Sequence, residues 1–560
     1  MKNDDALTEL EKKIEIGKQL GVFEDFAGRQ LLRCFGHGIQ DKFIISQIVK
    51  RVTNAQRRIA RSGSPFLPSK LRKGDFIIGA DEYGNPIKAF IQYLNAGTLI
   101  IANTGSGKTT LTIFYAIQIA PHVRGMWLVD LRKREFRFLR KHLAKQDIDL
   151  IIIRGRRFKV NPLQVPFGVD PNEYASVAAD LLVNVLNLPP RASVLLKSTI
   201  IKLYKKHGVF NGGEMYPTLF HLFEAIRYNR HANPQARQAI IDNLEAVLLT
   251  LGPQVLAYHK GWDIDKLAKS HLVFELAGLP ETVQDLLQNY PVASEFCSRI
   301  ARGVSNQGMD LWISFDEGQR TFSQKKETSG YHGNAITDMA GLVRGAGIGF
   351  SISVLGPDNL SVRLPSITST KIVGRCGSVP DYKAAGGFIG LTQEQIIWCT
   401  HHLKPGLFAG QVGEGNWRYP FLFEVPELKR DQLQPVTDKD ADDSLKPLES
   451  LKVIPATEFS NWSGIENIEL RSESLGKKYG DLSQSEFKFI LAVVEHPMHP
   501  SSEYAKLAGI SPNTVQRARP GLIEKGLIRE HKIESGSRGR STILIEPLES
   551  AIKIVADHKE

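Results

Sequence analysis

The chain has 560 residues, 42% of them hydrophobic and 23% charged, ordinary values for a globular protein with room for about three to five domains. Lys and Arg number 71 against 60 Asp and Glu, a net charge of +11, which sets aside an acidic disordered chain and favours a polyanionic partner. Four scattered cysteines exclude a disulfide framework and a paired-cysteine zinc site, and no apolar run approaches spanning length. The expectation is a soluble, cytoplasmic protein in a reducing compartment.

Residues 1–75 read as a helical, basic region, with apolar periodicity at Leu7, Leu10, Ile14 and Leu20 followed by a stretch, 43–74, that holds no acid. Such a run serves equally as a solvated helix face or as an arm that contacts phosphates. From 76 to 426 short apolar strands alternate with helical stretches, as in an α/β domain with a largely parallel sheet. Strands are expected at 99–102, 126–130, 150–153, 272–276, 311–316 and 349–355, and a helical insertion at about 163–270. Residues 427–480 are rich in Pro, Ser and Asp, which is linker chemistry. A last compact unit spans 481–560.

Chemistry is written most clearly at Ala102-Asn103-Thr104-Gly105-Ser106-Gly107-Lys108-Thr109-Thr110, which follows an apolar strand and opens a helical run. That is the setting a phosphate-binding loop requires: small residues let backbone N–H groups close around a phosphate at a helix N-terminus. Lys108 is expected to neutralise β/γ charge of ATP and the Thr109 hydroxyl to hold Mg²⁺. Ala102 stands where the pattern has glycine. The apolar run Leu311-Trp312-Ile313-Ser314-Phe315 ends in Asp316-Glu317; carboxylates at the end of a buried strand need a cation or donors. Asp316 is the candidate metal holder and Glu317 the candidate base for the attacking water. About 200 residues separate the two motifs, too many for one or two βα units, hence the insertion.

These residues, with 77–81, 84–87, 128–130, 160–163, 272–279, 342–349, 370–375 and 403–406 in the same order, resemble the HerA/FtsK superfamily of ring-forming DNA-pumping ATPases, including the TraG/TraD-type coupling proteins. The resemblance implies a RecA-like P-loop NTPase core, ATP and Mg²⁺ as cofactors, double-stranded DNA as partner and a homo-hexameric ring. It also implies a role in DNA transfer by a mobile element, or in processing or defence beside a nuclease or relaxase. It places an arginine reaching the neighbouring subunit's γ-phosphate at Arg344, with Arg375 second. One departure stands out: the family commonly carries a polar sensor, often Gln, where this chain has Leu355 and Gly356.

Between 131 and 160 eleven Lys and Arg face three Asp and Glu, a cluster expected to contact a phosphate backbone. The end unit reads as a winged helix with helices at 487–494, 502–508 and 512–525 and strands at 527–533 and 542–545. Asn513, Thr514, Gln516, Arg517 and Arg519 are candidates for a major groove, Arg538 and Arg540 for phosphates or a minor groove. Pro520-Gly521 is expected to kink the third helix. Two other readings share these motifs: an AAA+-like initiator with a winged helix, and a DNA-binding regulator in which nucleotide sets only the binding state.

Overall fold

The computed structural model describes residues 2–19, 22–23, 26–36, 41–229, 231–305, 308–324, 335–342, 344–358, 360–414, 417–427, 435–462, 484–534, 541–552 and 555. The chain divides into two compact units, Met1–Ser460 and Asn461–Glu560.

The first unit is built on strands β1 (Phe76–Ala80), β2 (Pro86–Ala89), β3 (Thr98–Ile101), β4 (Gly125–Asp130), β5 (Leu150–Arg154), β6 (Tyr258–Lys260), β7 (His271–Glu275), β8 (Leu311–Phe315), β9 (Ile348–Val354), β10 (Thr370–Val373), β11 (Leu407–Val412), β12 (Phe421–Glu424) and β13 (Ile454–Pro455). All but β6 and β13 join one 11-stranded sheet in the order β2-β1-β12-β11-β10-β3-β9-β8-β4-β7-β5. The block from β10 to β5 is parallel; β2, β1, β12 and β11 add an antiparallel wing. Every residue of β3, β4, β8 and β9 is buried, which is why these strands read as unbroken apolar runs rather than alternating ones. This is an α/β, RecA-like core: β9 lies between the loop strand β3 and the acidic strand β8, and both motifs leave the sheet at the same, C-terminal end.

Between β5 and β7 the chain forms helices Pro171–Val185, Arg191–Lys206, Leu219–Arg227 and Pro234–Leu251. Asp170, Thr218 and Asn233 cap three of them, each oxygen satisfying N–H groups that a first turn leaves open. The N-terminal helices Lys2–Gln19, Phe26–Gly36 and Lys42–Ser62 gather a small core of Leu10, Ile14, Phe23, Ile48 and Val52. Gly17 permits it, since a Cβ there would lie 2.4 Å from the Phe23 ring. No helix among the described residues is long and apolar enough to cross a membrane.

The span 427–480, expected as a linker, is partly folded onto this unit. A Thr437-capped helix, Asp438–Asp443, is followed by Lys446–Glu449 and by β13, which pairs with β6. Its acids are the reason. Asp438 and Asp442 meet Arg137 and Arg154 at 2.8 and 2.5 Å, the Ser444 hydroxyl accepts the Ile152 N–H at 2.9 Å, and Phe459 stacks on Phe220 at 5.1 Å. Residues 463–480 lie outside the described residues.

The second unit has helices Gln484–Glu495, Tyr504–Ala508 and Pro512–Glu524, with strands β14 (His499–Pro500), β15 (Ile528–Glu534) and β16 (Ser541–Pro547) in the antiparallel order β14-β16-β15. Phe489, Val493, Tyr504, Val515, Leu522 and Ile545 fill its core. The third helix is unbroken through Pro520. The short first strand has no sequence signature beyond its two residues.

Candidate nucleotide site

The loop is shaped by backbone geometry. Gly105 and Gly107 have φ of +74° and +96°, values that favour glycine, and a side chain at 107 would come within 3.2 Å of Gly406 N. Ala102 is buried, and its methyl finds room because position 374 on the neighbouring strand end is glycine: a Cβ there would lie 2.8 Å from that of Ala102. The Asn103 N–H and the Ser106 hydroxyl both donate to the carbonyl of Arg375, at 2.7 and 3.0 Å. The Thr104 N–H is held by Asn103 Oδ1 at 2.7 Å. Helix Lys108–Ile119 then begins with no side-chain cap, leaving first-turn N–H groups and the positive end of its dipole for an anion. Thr109 and Thr110 occupy that first turn, half-buried.

Lys108 is 8% exposed. Its Nζ donates to the carbonyls of Ala102 and Asn103, the latter at 3.1 Å. Burial lowers its pKa, while the carboxylates of Asp316 and Glu317 pull it back up. Asp316 answers in kind: burial, then Asp130 and Glu317, push it up to about 6, with Lys108 opposing them. The two motifs therefore share one electrostatic site. Asp130, at the end of β4, is spent on structure, its carboxylate accepting the N–H groups of Arg132, Lys133 and Phe136.

Glu317 is 8% exposed and has φ +58°, a left-handed conformation that costs a residue with a Cβ about 1–2 kcal/mol. Two backbone hydrogen bonds impose it: Gly318 N–H to Ser353 O at 2.7 Å, and Arg320 N–H to Glu317 O at 3.1 Å. Its Oε2 lies 2.7 Å from Arg132 Nε, yet no N–H is aligned with it, so the contact is ionic and the buried oxygen has no hydrogen-bond donor among the described residues.

Arg375 joins the loop in its own chain, with a guanidinium nitrogen 3.9 Å from where a Cβ on Gly105 would stand. Arg344 does not. It sits at the N-terminal end of the strands, lining a cavity of about 250 Å³ with Asn95, Gly97 and Ser369, and its exposed guanidinium meets Glu414 at 3.0 Å. The length of β3 separates it from the loop that follows that strand.

One residue went unseen in the sequence. The backbone N–H of Leu355 donates to Gln319 Oε1 at 3.3 Å, which puts a carboxamide at the end of β9 although that strand supplies no polar side chain there. The signal was Gln two residues past Asp316-Glu317 on the adjacent strand end.

A cation fits this donor set. Among the described residues no cluster of three His, Cys, Asp or Glu could hold a metal unaided. One carboxylate and one hydroxyl beside a phosphate loop instead match Mg²⁺, which is commonly held by one or two carboxylates together with ligand phosphates.

The basic segment 131–160 is less open than its composition implies. Arg137 is buried between Glu275 and Asp438, Arg140 pairs with Asp149, Arg154 with Asp442, and Arg157 lies 3.7 Å from Asp442. Arg132, Lys133, Arg134, Lys145 and Arg156 are exposed. Arg134, Arg156, Arg157 and Lys159 line a basic cavity of about 760 Å³.

In the second unit Asn513, Gln516 and Arg517 are exposed on the third helix. Thr514 belongs to the cap, its hydroxyl 2.7 Å from that of Ser511. Arg519, expected at DNA, is turned inward onto Glu530 at 2.5 Å, because position 519 falls on the helix face that packs on β15. Arg538 and Arg540 lie outside the described residues.

No protein-family model and no curated protein matches this sequence. Solved structures do. VirB4 of Thermoanaerobacter pseudethanolicus is similar at 17% identity over 65% of this chain and 100% of that chain, with a TM-score of 0.48. The bacterial conjugative coupling protein TrwB, lacking its first 70 residues, is similar at 12% identity over 64% of this chain and 90% of that chain, with a TM-score of 0.42. The genome-packaging NTPase B204 of Sulfolobus turreted icosahedral virus 2, in complex with ATP-gammaS, is similar at 11% over 60% of this chain and 99% of that chain, with a TM-score of 0.28.

Proposed function

We propose that this chain is an ATP-driven motor on double-stranded DNA that works as a homo-hexameric ring, as the family resemblance implies. One observation carries the reading: the buried Lys108 at the start of the loop helix feels the carboxylates of Asp316 and Glu317, and Asp316 feels Lys108 in turn, the arrangement expected of groups that serve one triphosphate. The uncapped helix start and the loop N–H groups bind the phosphates, and Lys108 neutralises their charge. Thr109 and Asp316 would hold Mg²⁺, which when bound offsets charge on the phosphate oxygens. Glu317 orients the attacking water through its donor-free oxygen and takes its proton. Gln319, hydrogen-bonded to the Leu355 N–H, takes the part of the polar sensor that the end of β9 lacks. Arg375 adds positive charge in the same chain, whereas Arg344, remote from its own loop and exposed, suits a neighbouring subunit's site.

The second unit is read as a winged helix that tethers the motor to duplex DNA through Asn513, Gln516 and Arg517. The test is steady-state ATP turnover of the full chain with and without long duplex DNA, beside strand-displacement translocation. Stimulation by DNA with directional displacement is the expected result. Turnover that ignores duplex would favour the nucleotide-switched regulator.

A further inference from the structure

Helix Glu281–Ala301 buries polar residues in its first turns: Gln284, Asp285, Gln288 and Asn289 are each at most 6% exposed. Buried amides are costly unless their donors and acceptors are satisfied. Gln284 uses both ends of its amide. Its Nε2 donates to the carbonyls of Leu131 and Leu276, the residues that follow β4 and β7, at 3.1 and 2.8 Å. Two carbonyl acceptors fix which end of the amide is nitrogen, and Oε1, left on the other side, accepts from Arg320 Nη1 at 2.6 Å. One carboxamide thus joins the ends of the adjacent strands β8, β4 and β7.

Arg320 is the far end of that link, and it belongs to the same turn as the candidate base. Its backbone N–H donates to the Glu317 carbonyl at 3.1 Å, one of the two bonds that hold Glu317 left-handed at φ +58°. Its guanidinium has little else to hold it. The side chain is 14% exposed, and Nη2 is buried without a hydrogen-bond partner among the described residues. Nε lies 3.6 Å from Glu281, whose side chain is 81% exposed. An ion pair to so exposed a partner is weak, whereas a charged donor on a carboxamide oxygen makes one of the stronger hydrogen bonds. Gln284 is therefore the contact that sets where Arg320, and the turn it closes, can stand. The turn needs such a hold: a left-handed glutamate is strained, and strain of this kind persists only where neighbouring structure over-determines it. One helical turn on, Gln288 Nε2 donates to Thr321 Oγ1 at 2.9 Å, a second join between the same helix and the same turn.

We infer that Gln284 is a positioning residue for hydrolysis, acting through Arg320 to keep Glu317 aimed at the attacking water. The inference rests on the ATPase reading above and adds to it a residue from outside both sequence motifs. With Gln284 removed, Arg320 is free to swing toward Glu281 and solvent, the turn relaxes, and the Glu317 carboxylate leaves the electrostatic site it shares with Lys108. Nucleotide binding, which the loop and Lys108 carry, is untouched.

The test measures phosphate release by the full chain over a range of Mg²⁺-ATP, with long duplex DNA present, for wild type, Gln284→Leu, Arg320→Met and the double variant. Affinity for a fluorescent ATP analogue is measured beside it. Each single variant is expected to lower kcat about 10- to 100-fold, as displacing a reacting group by about 1 Å does, with KM and analogue affinity unchanged. The double variant is expected at the lower of the two single values, since residues that act as one unit are not additive. In a Glu317→Gln background, Gln284→Leu is expected to cost less than about twofold more, because no base remains to be positioned. A structural role alone would lower affinity along with kcat and would persist in that background. Arg320→Met leaves both carbonyl bonds of Gln284 in place, so it reads the link even where Gln284→Leu fails to fold. Unchanged kcat in Arg320→Met, additive losses in the double variant, or affinity lost in step with kcat overturns the positioning role and leaves the ATPase reading standing. Wild-type protein that releases no phosphate overturns the ATPase reading itself, and the positioning role with it.

Discussion

The two halves of the basic segment behave oppositely. Arg137, Arg140 and Arg154 are paired inside the first unit, one of them buried between two carboxylates. Arg132, Lys133 and Arg134 are exposed, with Arg132 against Glu317 at 2.7 Å and Arg134 3.7 Å from the exposed Asp438. Net charge along a sequence is thus a poor guide to charge on offer: the same residue type is buried mortar in one place and solvent-exposed a few residues earlier. Arg137 and Arg154 are held by the strand-end acid Glu275 and by the strap of residues 436–460, which brings Asp438 and Asp442 over the end of β5, while Arg140 meets Asp149.

The largest effect expected is on the inner half. Arg137→Ala leaves Glu275 buried and uncompensated and should destabilise the first unit by about 3–5 kcal/mol, read as a fall in denaturation midpoint; a loss below about 1 kcal/mol would erase the distinction between the halves. On the outer half, Lys133→Ala should leave the midpoint unchanged and weaken duplex binding, lowering the salt slope of affinity by about one. A changed midpoint with an unchanged slope would place Lys133 among the structural cations instead.

A smaller effect concerns acidity. Burial and two neighbouring carboxylates raise Asp316 from 3.8 to about 6. A raised carboxyl favours the folded state most below its unfolded value, and that contribution is lost as pH rises through about 6. Asp316→Asn removes the loss, so the variant without Mg²⁺ should melt a few degrees above wild type at pH 7.5 and match it near pH 4. Equal melting at both pH values would mean that the carboxyl is not confined as described.

The loop and the acidic strand end were legible because their chemistry is local: glycines with positive φ, a lysine at a helix start, acids closing an apolar run. The largely parallel α/β sheet was legible in the alternation of short apolar strands with helical stretches, and the RecA-like core in the family resemblance. What was not legible depends on partners distant in sequence. The strap looked like a linker since Asp438 finds Arg137 only in the folded chain. Arg519 looked like a DNA contact since nothing near it announces Glu530 on the next strand. Gln319 was missed because a hydrogen bond to Leu355 N–H crosses from one strand end to its neighbour.

The central claim is that Lys108 and Glu317 serve one triphosphate. The direct measurement is a paired assay of Mg²⁺-ATP binding and hydrolysis on wild type, Lys108→Ala and Glu317→Gln. Binding kept but turnover lowered at least about a hundredfold in Glu317→Gln, with both lost in Lys108→Ala, is the predicted result. Wild-type turnover in Glu317→Gln, or undiminished nucleotide affinity in Lys108→Ala, would contradict it.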